Sequence, residues 1–326
     1  MAKADRPDFD IEIGRKSHSA SSLYHVAEKR ADRSDCKDSP GQRFHDMERP
    51  GDFVARPGLD LSWQWDIGKK REFGISFGAD HYLHARNSIA DHLDPDGAIA
   101  YDLWRRDKLG PAPEFVPARF HRHFSIDDPD NGLRLLDRAD YRQIKLAPRY
   151  RHDWNKDWAT GVEYEFSQRD YEAPFDNCDR DRHTVTALIA YDGLKRTDIA
   201  VGVGFSSTET RVDTEFGVKV DRSYDDLFVK FGVEFDLRHH WEAKLGTKYR
   251  VREYATNKRA DTARYGRTDD LWMVDAEVGK WLQEDFYVGV LAGWARNDSD
   301  REDDTIESDE VGYEEYIVGL VAEWRF

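Results

Sequence analysis

Apolar and polar residues alternate along most of this chain. Leu59, Leu61, Trp63, Trp65 and Ile67 are separated by Asp60, Ser62, Gln64 and Asp66. The same period of two recurs over 160–166, 227–237, 241–252, 286–294 and 316–326. Successive side chains of a strand point to opposite faces, so each segment predicts a strand with one apolar face and one polar or small face. The pattern predicts strands over 8–16, 58–68, 72–84, 140–153, 157–170, 183–192, 197–207, 224–237, 241–254, 269–281, 285–296 and 313–326. Short polar turns fall at 68–71, 155–157, 193–197, 238–240 and 282–285. Long polar connections fall between them, at 17–57, 85–139, 172–182, 207–223, 255–268 and 297–312.

These strands are long. About ten residues suffice for a tilted strand to cross a bilayer, whereas strands of soluble proteins average about five or six. Alternating short and long connections are the mark of barrels with short inner turns and long outer loops. The expectation is an all-β fold: a transmembrane antiparallel up-and-down β-barrel of about twelve strands, forming one domain over 1–326. The first strand pairs with the last, because an open edge in lipid leaves backbone groups without partners. The connection 85–139 is expected to be a long outer or lumen-inserted loop. It contains a helical stretch at 98–109, with Arg105, Arg106 and Lys108 as constriction candidates.

Composition narrows the class. Hydrophobic residues make up only 39% of 326 residues, yet aromatics reach 13%, which excludes a disordered chain. The formal net charge of −16 argues against a nucleic-acid partner. No apolar run reaches the roughly 18 residues of a membrane helix. Amphipathic rings favour membrane interfaces. Trp154, Trp158, Trp241, Trp281 and Trp324 are therefore expected to form an outward girdle at the short-turn end, with Tyr164, Phe166, Trp272 and Trp294 nearer the long loops. The opening MAKADRPDFD lacks the charged-then-apolar plan of a secretory signal. It suits a cytoplasmic chain or a mature one carrying a replacement start Met, and the carboxy terminus favours the second.

That terminus reads YIVGLVAEWRF, with Tyr316, Trp324 and Phe326 on one alternating face. It resembles the assembly signal of bacterial outer-membrane β-barrel proteins, and the topology is similar to the monomeric twelve-stranded porin and oligosaccharide-channel class. The resemblance implies a location in the bacterial outer membrane. It implies outer-membrane lipid, lipopolysaccharide and the outer-membrane assembly machinery as partners. It further implies a passive channel for small polar or charged solutes, acidic oligosaccharides among them, with no enzymatic activity and no cofactor. The alternatives are a non-conducting surface, adhesion or partner-binding barrel, and a lipid hydrolase of the outer rim.

The second face of each strand is then the lumen. Lys145, Arg149 and Arg151 form one basic ladder; Lys244, Lys248, Arg250 and Arg252 form another. Acids lie on neighbouring strands: Glu163 and Glu165, then Glu234 and Asp236 beside Lys230. Cross-strand salt bridging that fills the lumen is one reading. The other is a polar conduit with the two ladders on opposite walls. Small lumen residues, Ala200, Gly202, Gly204, Ser206, Gly289 and Gly293, leave space for a pore or an inserted loop.

Other chemistry is sparse. Asp298, Asp300, Glu302, Asp303, Asp304, Glu307, Asp309 and Glu310 crowd the last long loop, where a surface divalent cation could sit; the competing reading is a solvated acidic loop. The 94–97 and 128–132 segments resemble fragments of calcium loops without the full ligand spacing, and His121 and His123 sit two apart. His18 with Ser19 or Ser21, and His84 with Ser88 and Asp80, lack an oriented base beside a nucleophile. Cys36 and Cys178 both fall in long loops and could form one disulfide in an oxidising compartment.

Overall fold

The computed structural model describes residues 19–26, 52–66, 72–84, 92–104, 107–127, 134–171, 179–210, 213–215, 218–256, 259, 264–301 and 313–325. The described chain is almost entirely strand. In order, the strands are β1 (Ser19–Val26), β2 (Asp52–Asp66), β3 (Glu72–His84), β4 (His92–Trp104), β5 (Asp107–Asp127), β6 (Arg134–Asp153), β7 (Trp158–Tyr171) and β8 (Arg180–Leu194). They continue as β9 (Thr197–Thr210), β10 (Asp213–Glu215), β11 (Val218–Val220), β12 (Tyr224–Asp236), β13 (Trp241–Tyr254), β14 (Arg267–Trp281), β15 (Phe286–Arg301) and β16 (Tyr313–Arg325).

Sequential neighbours pair antiparallel around a closed ring. The short hairpin β10–β11 stands outside it, so β9 pairs directly with β12. Closure comes from β1 against β16, with Ala20 opposite Trp324 and Leu23 opposite Leu320. The closing strand, Ser19–Val26, lies within the segment expected as the long connection 17–57. The expected strand over 8–16 lies outside the described residues.

The ring holds fourteen described strands rather than about twelve. The main difference is the segment expected as one long loop, 85–139, which supplies β4 and β5 to the wall. The helix expected at 98–109 is instead the end of β4 and the start of β5. Lys108 is consequently a wall residue, opposite Asp102 on one side and Arg151 on the other, and not part of an inserted constriction. Arg105 and Arg106 lie outside the described residues. Prolines disguise these strands. Pro95 opposes Ala79, Pro111 opposes Pro148, and the β5–β6 register shifts between Val116 and Arg119, where Pro117 interrupts the ladder.

Local chemistry sets the turns. Between β6 and β7 the Asn155 side-chain oxygen accepts the amides of Asp157 (2.8 Å) and Trp158 (3.0 Å), a side-chain mimic of a backbone turn. The β8–β9 and β12–β13 turns hold Arg196, His239 and His240 at φ of 63°, 61° and 65°, a region that favours glycine or asparagine.

Candidate functional site

The burial pattern decides which face is which. Along β8 and β9, Val185, Ala187, Ile189, Val201, Val203 and Phe205 are exposed, while Thr184, Thr186, Gly202, Gly204, Ser206 and Thr208 are buried. On β12, Leu227 is 57% exposed and its neighbour Asp226 0%. Soluble proteins bury the apolar face; here it is turned outward over strand after strand, a band suited to lipid. The fold is that of the outer-membrane β-barrels.

In this barrel the polar face lines the interior. Adjacent strands share hydrogen-bonded rows, and following one row across the wall shows which side chains lie side by side. Nearest the long-loop end, Asp226 on β12 opposes Ser206 on β9 and Arg252 on β13. The Asp226 carboxylate accepts from Arg252 Nε at 2.8 Å, Arg182 Nη2 at 3.3 Å and Ser206 Oγ at 3.3 Å. Arg250 Nε stands 3.8 Å from the same carboxylate. One fully buried anion thus anchors three arginines. Arg252 also stacks on the Tyr224 ring at 3.6 Å.

Asp269 organises the adjoining wall. It takes a two-pronged interaction from Arg267 at 2.7 and 2.6 Å, and accepts from Ser299 at 2.6 Å and from Tyr254 at 3.3 Å. Such forked arginine–carboxylate pairs are both strong and geometrically specific.

Towards the middle, Lys230 and Lys248 oppose each other directly. Two like charges facing across a strand pair are destabilising, so this row is a concentration of positive charge in the wall. The Lys248 ammonium lies over the Phe228 ring at 4.8 Å. The next row holds Ala200, Gly232, Gly246 and Asp275. Beyond it, Asp198, Glu234, Lys244 and Glu277 share one row, and Asp236 opposes Glu242 in the last. Near the short turns, Trp281 donates to Glu242 at 2.7 Å and Tyr287 to Glu277 at 2.6 Å, with the two rings 5.2 Å apart.

The β6–β7 sector is charge-compensated in detail. Arg149 pairs with Glu163 at 2.6 Å, Lys145 with Glu165 at 3.4 Å and Arg151 with Asp153 at 3.0 Å. Charges are thus paired on β6–β7, while Lys230, Lys248 and Arg250 gather on neighbouring rows of β12–β13.

The two basic ladders, on β6 and β13, are five strand steps apart on one side of the ring and nine on the other, so they face each other obliquely across the lumen. Two expectations need correction. Gly202 and Gly204 do not leave open space. A Cβ on Gly202 would meet the Lys230 side chain at 2.9 Å, and one on Gly204 would meet the Phe228 ring. Trp281 faces inward, opposite Tyr287, and is not part of an outward girdle.

The other aromatic placements fit an outward surface where side chains are described. Trp154, Trp158, Trp241, Tyr164 and Trp272 are exposed. Nearer the long loops, Tyr249 donates to Asp270 at 2.6 Å, while Trp294 and Tyr316 donate to Glu314 at 2.9 and 2.6 Å. Tyr316 is thus an outward residue of β16; Trp324 pairs opposite Phe286, and Phe326 lies outside the described residues. Cys36, Cys178, His18 and Ser88 also lie outside them, as do Glu302, Asp303, Asp304, Glu307, Asp309 and Glu310. Ser19 and Ser21 fall on β1, Asp80 and His84 on β3, and His121 and His123 on β5. Asp298 pairs with Arg296 at 3.0 Å. Among the described residues no group of three or more His, Cys, Asp or Glu side chains is placed to hold a metal ion.

Sequence reasoning missed Asp226 and Arg182. The signal was available: Asp226 shares the parity of Lys230 and Glu234 on β12, and Arg182 precedes Thr184 and Thr186 on the inward face of β8.

Comparison with solved structures agrees with the fold. The outer-membrane channel DcaP of Acinetobacter baumannii aligns at 11% identity and a TM-score of 0.50, covering 95% of this chain and 96% of that one. OmpT, an outer-membrane protein of Vibrio cholerae, aligns at 8% identity and a TM-score of 0.51, covering 95% and 98%. An anion-selective porin from Comamonas acidovorans aligns at 10% identity and a TM-score of 0.46, covering 95% and 98%. No protein-family description matches the chain, and no curated protein matches it in sequence.

Proposed function

We propose that this barrel is an outer-membrane channel for the passive diffusion of small polar or charged solutes, with acidic oligosaccharides as the favoured anionic class. The observation that carries the reading is the Lys230–Lys248 row. Two cations face each other across neighbouring strands on the lumen side, two rows from Asp226 and its arginines Arg182, Arg250 and Arg252. A wall that served packing alone would alternate charge across the pair, as Arg149 and Glu163 do. Sugar carboxylates offer the acceptors that guanidinium and ammonium groups bind. Lipid and lipopolysaccharide are the surroundings this reading gives the exposed apolar face, and Tyr316, Trp324 and Phe326 would serve recognition by the assembly machinery. No enzymatic role enters it.

A second reading has its own support. Arg222, Thr208, Ser206 and Asp226 are fully buried towards the long-loop end, which suits a closed, non-conducting surface barrel. Planar-bilayer recording separates the two. The channel reading predicts stepwise conductance that an added acidic oligosaccharide reduces; folded protein without conductance supports the closed barrel.

A further inference from the structure

The charges of the inner wall over β8–β14 are sorted along the strands. On the long-loop side of the Ala200–Gly232–Gly246 row lie Arg180, Arg182, Lys230, Lys248, Arg250, Arg252 and Arg267, against Asp226 and Asp269. On the short-turn side lie Asp192, Asp198, Glu234, Asp236, Glu242 and Glu277, against Lys244. The two halves carry opposite net charge of equal size, and the reversal takes place across one row of small residues. Asp275 in that row is exposed, as is Lys244 just beyond it.

The separation is large enough to matter. The Lys230–Lys248 row and the Glu234–Lys244 row are four residues apart along each strand, about 13 Å. The Debye length is about 8 Å at 0.15 M ionic strength, so mobile ions meet two distinct layers rather than one neutral average. At 1 M it falls to about 3 Å and each layer is screened.

We infer that this wall is a bipolar junction and that the open pore rectifies ion current. The inference rests on the channel reading. Anions are the favoured mobile ions beside the basic layer, and cations beside the acidic layer. A voltage positive on the short-turn side drives both towards the junction and fills it with carriers. The opposite voltage draws both away and depletes it. Conductance is therefore larger when the short-turn side is positive. Lys230, Lys248, Glu234 and Glu277 are the residues that set this polarity.

The test is the current–voltage relation of single channels, with each orientation fixed by a protease added on one side to trim the long connections. At about 0.1 M KCl the ratio of currents at equal and opposite voltages is expected to exceed about 1.5, larger with the short-turn side positive, and to approach unity at about 1 M. The Glu234→Gln/Glu277→Gln double variant and, independently, the Lys230→Gln/Lys248→Gln variant each lower the ratio; either suffices if the other fails to fold. Symmetric current in the wild type, or rectification of the opposite sign, overturns the inference while the channel reading stands. Correctly folded protein that passes no current overturns both.

Discussion

Arg252 donates to Asp226 across the β12–β13 register at 2.8 Å, and Asp226 is the fully buried centre that also holds Arg182 and Arg250. Removing the anion brings three guanidinium groups together without the carboxylate that they share. Loss of one partner from a buried ion cluster costs about 3–5 kcal/mol. Asp226→Ala is expected to fall in that range, measured by reversible urea unfolding in lipid vesicles. Arg182→Ala, whose loss still leaves Asp226 two cations, is expected to cost less than half as much.

The position of Asp226 shows how far a sequence carries. Alternation alone located β7, β9, β12, β13 and β14 to within three residues, because Val, Phe, Tyr and Trp on one face and Glu, Lys and Gly on the other leave little ambiguity. It failed at β4 and β5. There Pro95, Pro111, Pro113 and Pro117 break the period, and Ala98, Ile99, Ala100, Tyr101 and Leu103 read as a helical cluster. A proline cannot donate to a ladder, so only tertiary pairing with β3 and β6 reveals those strands. Some lumen charges, Lys230, Glu234, Lys244 and Lys248 among them, stand out in the alternation, whereas Asp226, Arg182, Arg267 and Asp269 do not. Their sorting into layers is not legible, because a row depends on register, and register depends on turns and bulges.

Gly204 and Phe228 form a complementary pair across β9 and β12, the ring occupying the place of the missing side chain. Gly204→Val is expected to destabilise by about 1–3 kcal/mol through overpacking. Phe228→Ala in the same chain should recover part of that loss, so a double-mutant cycle reads a favourable coupling between the two changes.

Val203 lies on the outward face midway along β9 and is 49% exposed. Arginine there would place a charge in the hydrocarbon, at about 2–4 kcal/mol for a midplane site. Val203→Arg should therefore lower stability in vesicles by that amount. Asp275→Asn, on the water-facing side, should change it by less than about 0.5 kcal/mol.

His239 and His240 hold consecutive left-handed backbone conformations in the tight β12–β13 turn. For residues with a Cβ that conformation costs roughly 1–2 kcal/mol each. His239→Gly is expected to stabilise the barrel by about 0.5–1 kcal/mol, since glycine relieves strain but loses more freedom on folding. Unfolding midpoints in urea measure it, and a lower midpoint would count against the turn geometry.

The central claim is that the charged face of these strands lines a water-filled interior while the apolar face meets lipid. Single cysteines, introduced one at a time in a chain with Cys36 and Cys178 replaced by serine, test it most directly. Positions 230, 244 and 275 should react with a small charged thiol reagent in the folded, vesicle-embedded protein. Positions 229, 245 and 290 should resist it and react only with a lipid-soluble reagent. Equal reactivity on both faces, or charged-reagent labelling confined to 229, 245 and 290, would contradict the account.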